Sequence, residues 1–118
     1  MPDPAPPPVL ALCRDLIFAS RIAATARALG VPCQILRDPD KLADQRGDLL
    51  LVDLNEPGAI EAASAWWQRH SRPVIGFVSH VHAARIAQAR DAGITRVMAR
   101  SGFVEALPEL MTGSHRGA

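Results

Sequence analysis

The sequence predicts a single α/β domain with a doubly wound, three-layer, five-stranded parallel sheet, and three observations carry that expectation. Short apolar runs of strand length recur along the chain, with segments of helical periodicity between them. Gly and Pro punctuate the boundaries where one kind of segment gives way to the other. The 118 residues, 48% apolar and 21% charged, have the size and composition of one globular domain.

Residues 1–8 hold five prolines and are expected to form an extended or disordered lead-in. Val9 to Cys13 is an apolar run suited to a strand covered on both faces. Leu16 to Leu29 follows with Phe18, Ile22, Ala26 and Leu29 on one helical face, and Gly30 stops the helix. Val31 to Leu36 reads as the second strand. The polar stretch from Asp38 to Gly47 contains Pro39 and allows only a short helix.

Leu49 to Val52, bounded by Asp48 and Asp53, is the clearest strand. Pro57-Gly58 marks the turn before a helix whose stripe is Ile60, Ala63 and Trp67. Adjacent helical residues diverge by about 100°, so Trp66 falls at the edge of that stripe or on the surface. An exposed tryptophan there would mark an interface. Pro73 opens the fourth strand, Val74 to Val78. An alanine-rich helix, Ala83 to Ala92, ends at Gly93, and Ile94 to Ala99 is the fifth strand. A last helix, Phe103 to Met111, buries Phe103, Leu107 and Leu110. Residues 113–118 read as a frayed tail, leaving 9–112 as the domain.

Strand and helix thus alternate five times, which implies parallel strands with helices on both faces. Five such units favour the flavodoxin-like strand order 2-1-3-4-5, with ligands received beyond the carboxyl ends of the strands. Cys13, Arg14 and Asp15 stand on that rim after strand 1. Asp53, Leu54 and Asn55 follow strand 3, Ser79 and His80 follow strand 4, and Arg100 and Ser101 follow strand 5.

Bulk properties exclude several functions. A formal net charge of +1 lacks the basic excess of nucleic-acid or anionic-membrane binders. No apolar run approaches the ~20 residues of a membrane span, and the acidic, proline-rich start lacks the charged opening of a signal peptide. Cytoplasmic residence is the expectation. Cys13 and Cys33 are expected as buried free thiols, with no metal-binding spacing. His80 and His82 alternate around Val81 but lack a third ligand, which favours a polar loop over a metal site. No GxGxxG, P-loop or nucleophile elbow is present. Cys13, beside Arg14, offers a candidate activated thiol at the rim, and its expected burial argues against activation.

The segment Asp48-Leu-Leu-Leu-Val-Asp53-Leu-Asn-Glu-Pro57-Gly58 resembles the third strand, phosphoacceptor aspartate and Pro-Gly turn of response-regulator receiver (CheY-like) domains. Pro73 to Gly93 resembles that family's fourth strand and fourth helix, and Gly93 to Phe103 its fifth strand and exit. The resemblance spans about residues 9–111. It implies Asp53 as the phosphoacceptor, flanked by two acids that help hold Mg²⁺, with a hydroxyl after strand 4 and a lysine after strand 5. Here the acidic pair is replaced by Cys13 and Arg14, with Asp15 one residue beyond. Val78 takes the hydroxyl position with Ser79 next to it. Arg100 replaces the lysine, Ser101 the following proline, and Val97 the aromatic switch.

Two arginines near Asp53 disfavour Mg²⁺ and favour paired hydrogen bonds to the carboxylate. The leading expectation is therefore a non-enzymatic pseudo-receiver without a cofactor, in which Arg14, Arg100 or both hold Asp53. It would act on a protein partner or as a homodimer through helix 4, strand 5 and helix 5, about residues 83–111. Arg85, Arg90, Arg96 and Glu105, with Trp66 from the preceding helix, are the candidate interface residues. The alternative is an atypical phosphorylatable receiver in which Asp15 substitutes for the missing acids. Asp15 also suits the N-terminus of the first helix.

Overall fold

A computed structural model describes residues 7–79 and 83–112. His80, Val81 and His82, most of the expected lead-in and the expected tail lie outside the described residues. The strands are β1 (Val9–Leu12), β2 (Cys33–Leu36), β3 (Leu49–Asp53), β4 (Val74–Val78) and β5 (Arg96–Ala99). They form one parallel sheet in the order β2-β1-β3-β4-β5. The helices are α1 (Leu16–Leu29), α2 (Ala59–His70), α3 (Ala83–Asp91) and α4 (Arg100–Thr112).

Where a second helix could have stood, the polar stretch makes one 3₁₀ turn, Pro39–Lys41, capped by the Asp38 carboxylate on the Asp40 N–H. Expected helix 4 and helix 5 are therefore α3 and α4. The α4 helix begins at Arg100, directly out of β5 and three residues before the expected start. That early start fixes the arginine at the sheet's carboxyl edge.

Because both faces of the sheet are covered, the strands are apolar at successive positions, and alternate residues feed two cores. Val9, Ala11, Leu49, Leu51, Ile75 and Phe77 face α1 and α4, with Phe18, Ile22, Phe103 and Leu107. There Phe18, Phe77 and Phe103 cluster at centroid separations of 4.8, 4.4 and 5.9 Å, within the usual range for aromatic contact. Leu10, Leu12, Leu50, Val52, Val74 and Val78 face the other way, with Leu42, Ile60, Ala63, Trp66 and Ala89.

Two expectations about helix faces are corrected. The stripe of α2 is Ile60, Ala63 and Trp66, with Trp66 fully buried and Trp67 40% exposed. Spacings of +3/+3 and +3/+4 both keep to one side of a helix, and the polar handle decides between them. The Trp66 Nε1–H donates to the Gln45 carbonyl at 2.8 Å, so a buried indole has its partner. Trp66 is thereby removed from the candidate interface. The ring of Trp67 instead lies over Gly93, where an added Cβ would come within 2.6 Å of it. On α1, Leu29 is exposed. The left-handed turn at Gly30 brings Val31 back against the core in its place, with the Val31 N–H donating to Ala26.

Candidate functional site

Asp53 ends β3 and is only 2% exposed, the one buried charged residue among those described. A carboxylate so placed must be compensated. Its Oδ1 accepts from the Asn55 backbone N–H at 3.0 Å and from the Asn55 Nδ2 at 2.9 Å. The first of these closes a turn of the Asx type, in which an aspartate accepts from the backbone two residues on. Its Oδ2 faces the Arg100 Nη2 at 3.4 Å. The Asn55 Nδ2 also donates to the Ser79 hydroxyl at 3.2 Å, which ties the end of β4 to the same corner.

Asp15 caps α1. Its Oδ1 accepts from the Ile17 and Phe18 N–H groups, at 3.0 and 3.1 Å. Its Oδ2 stands 3.5 Å from the Arg100 Nη1. One guanidinium therefore lies between two carboxylates from different strand ends, with its Cζ 4.4 Å from the centre of the Phe18 ring. Tight charge-assisted pairs close to about 2.7–2.9 Å. The longer distances here mean that Arg100 bridges the two acids without gripping either. Its Nε is buried with no acceptor.

The loop after Asp53 is fixed from below and from the side. Leu54 is buried over Gly76, where a Cβ would meet the leucine at 2.5 Å, so only glycine leaves room for it. The Leu54 carbonyl accepts from the Arg85 Nη1 at 2.7 Å. Arg85, expected as an interface charge, thus reaches over the loop as a clamp.

Arg14 is exposed and lines a separate depression of about 400 Å³ with Arg37, Asp38 and Pro39. No ion pair joins it to Asp53, so of the two expected arginines only Arg100 reaches the carboxylate. Arg90, Arg96 and Glu105 are exposed. Cys13 is buried, and its thiol faces the Asp15 carbonyl at 3.6 Å. Burial pushes its pKa up to about 11, partly countered by that backbone contact, which opposes thiolate formation at neutral pH. Cys33 is half-buried on the edge strand, and burial raises its pKa too.

Three participants had no role assigned from sequence: Asn55, Phe18 as the floor under Arg100, and the Arg85 clamp. For Asn55 a signal existed in the Asp-x-Asn spacing after a strand. No local pattern announces the other two, which depend on tertiary placement.

Neither a protein-family model nor a curated protein matches the sequence. Solved structures do match in fold. A CheY-like receiver domain protein from Methanospirillum hungatei JF-1 aligns with a TM-score of 0.77 at 12% identity, over 97% of this chain and all of that one. The Vibrio cholerae chemotaxis protein CheY4 aligns with a TM-score of 0.78 at 17% identity, over 92% and 98%. A Burkholderia pseudomallei response regulator, seen with a phosphorylated aspartic acid and a calcium ion, aligns with a TM-score of 0.75 at 15% identity. That match covers 89% of this chain and 66% of the larger protein. The fold is that of response-regulator receiver domains. Among the described residues no helix is long and apolar enough to cross a membrane.

Proposed function

We propose that the chain is a pseudo-receiver, a non-enzymatic signalling module of the cytoplasm that works through protein contacts. In this reading Arg100 permanently fills the place that a receiver gives to its divalent cation. One observation carries it: the free oxygens of Asp53 and Asp15 both turn toward the Arg100 guanidinium, at 3.4 and 3.5 Å.

Magnesium demands several hard oxygen donors in a near-octahedral set. This corner offers two carboxylate oxygens already facing a cation, and the remaining acid positions hold Cys13 and Arg14. The donor set does not fit the ion. Without a cation, transfer of a phosphoryl group to Asp53 brings anion against anion. Arg100 supplies the neutralising charge, but its planar fork cannot collect substrate oxygens around one centre.

Signalling would pass through the surface of α3, β5 and α4. Arg90, Arg96 and Glu105 are among its exposed charges, and Arg85 links it to the loop after Asp53. A partner there would sense the state of that loop.

The second reading, an atypical phosphorylatable receiver, has its own support. The Arg100 contacts are long, and the Ser79 hydroxyl is already tied to Asn55 beside Asp53. Incubation with acetyl phosphate and Mg²⁺, followed by intact-mass measurement, separates the two. The pseudo-receiver keeps its mass. A phosphoryl adduct mapped to Asp53 overturns that reading and establishes the second.

A further inference from the structure

We infer that the groove between α1 and α4 is the seat of a second copy of this chain, in a twofold dimer that sets Arg21 of each protomer against Glu105 of the other. The groove encloses about 580 Å³ and is lined by Asp15, Ile17, Phe18, Arg21, Arg100, Ser101, Val104 and Glu105. It shares α4, Glu105 included, with the α3–β5–α4 surface and reaches from there to α1. The inference deepens the protein-contact part of the reading above by naming a partner, and it rests on the groove alone.

The first observation is apolar exposure. Leu16 and Ile17, in the first turn of α1, are 62% and 84% exposed, the most exposed large apolar side chains among those described. They meet no need of the fold, because the core face of α1 is Phe18, Ala19, Ile22 and Ala26. From Ile17 the exposed positions Arg21, Ala24 and Ala28 continue at +4, +3 and +4 along α1, so that beyond the groove's Arg21 the stripe carries only alanine. Another helix can approach closely there.

Charge complementarity selects the occupant. Arg21 stands on the α1 wall and Glu105 on the α4 wall, and no ion pair joins either to a described residue. A twofold axis across the groove exchanges the walls, so each free cation meets a free anion. An unrelated partner would have to supply both signs in the same spacing, whereas this chain already carries them. A space of this size admits side chains rather than a whole helix. Ile17 of one copy is the side chain placed to enter, toward Phe18 and Val104 of the other.

Analytical ultracentrifugation of the full chain over a wide concentration series tests this. Wild type is expected to show a monomer–dimer equilibrium. Ile17→Asp is expected to weaken the dimer about tenfold or more. An acid in the first turn of a helix favours the helix, so a melting midpoint at or above that of wild type, compared at concentrations where both are monomeric, separates lost association from lost folding. Arg21→Glu alone and Glu105→Arg alone are each expected to weaken self-association. An equimolar mixture of the two variants restores dimers, because each chain then supplies the charge that the other lacks. A wild type that stays monomeric throughout, single reversals that dimerise like wild type, or a mixture that associates no better than its components would overturn the inference.

Discussion

On the α1/α4 side of the sheet the core is aromatic and runs up into the rim; on the α2/α3 side it is mostly aliphatic and stops beneath it. Phe18 packs with Phe77 and Phe103 and also carries the Arg100 guanidinium, so one side chain serves both core and site. Trp66, the largest buried side chain of the other layer, hydrogen-bonds to the Gln45 carbonyl and to none of the site residues. That layer touches the rim through Leu54 over Gly76 and through the Arg85 contact to a backbone carbonyl. The contrast teaches that stability and site geometry are coupled on one side of this sheet and separable on the other.

The largest effects should come from the two cores, and their difference sharpens that contrast. Trp66→Ala and Phe18→Ala are each expected to cost about 3–5 kcal/mol in denaturant unfolding. Only Phe18→Ala should also disturb the rim, read as faster alkylation of Cys13 in a Cys33→Ser background. Equal Cys13 reactivity in the two variants at matched stability would break the comparison.

A smaller effect follows from Cys13 itself. Its folded pKa of about 11 exceeds the ordinary 9.0, so the folded state holds the proton that the unfolded chain gives up first. The stability this contributes is complete below pH 9 and is lost as pH rises toward 11, in all about 1–3 kcal/mol. The slope of stability against pH in that window should flatten in Cys13→Ala.

The two rim arginines give a further contrast. Arg100→Ala leaves Asp53 buried with only the Asn55 contacts and is expected to cost about 1–2 kcal/mol. The exposure and long bonds of Arg100 keep this below the cost of breaking a fully buried pair. Arg14→Ala should fall within about 0.5 kcal/mol of wild type, as an exposed side chain without a partner does. A larger cost at Arg14 than at Arg100 would reverse the assignment.

Much of the fold was legible because parallel strands and amphipathic helices write their periods directly into the apolar pattern. The position of Asp53 at the end of β3 followed from the apolar run before it, and strand order from alternation together with the right-handed crossovers and the order that five such units favour. Faces were less legible where two spacings fit one helix. Trp66 and Trp67 both continue from Ala63, and the choice turned on a hydrogen bond to Gln45, 21 residues away. Leu29 failed for a local reason, since the turn after Gly30 returned Val31 to the core instead. At the site, sequence could name Asp53, Asp15 and Arg100 from their places after strands. It could not rank Arg100 over Arg14, because both follow strands directly. The ranking comes from what lies beneath: an aromatic ring and two carboxylates in one case, a shallow polar depression in the other.

Crystals grown with Mg²⁺ and beryllofluoride, a phosphoryl mimic, probe the corner where Asp15, Asp53 and Arg100 meet. The account predicts that the Arg100 guanidinium still lies between the two carboxylates. An octahedral magnesium ion coordinated by Asp53, with Arg100 swung away, would contradict it.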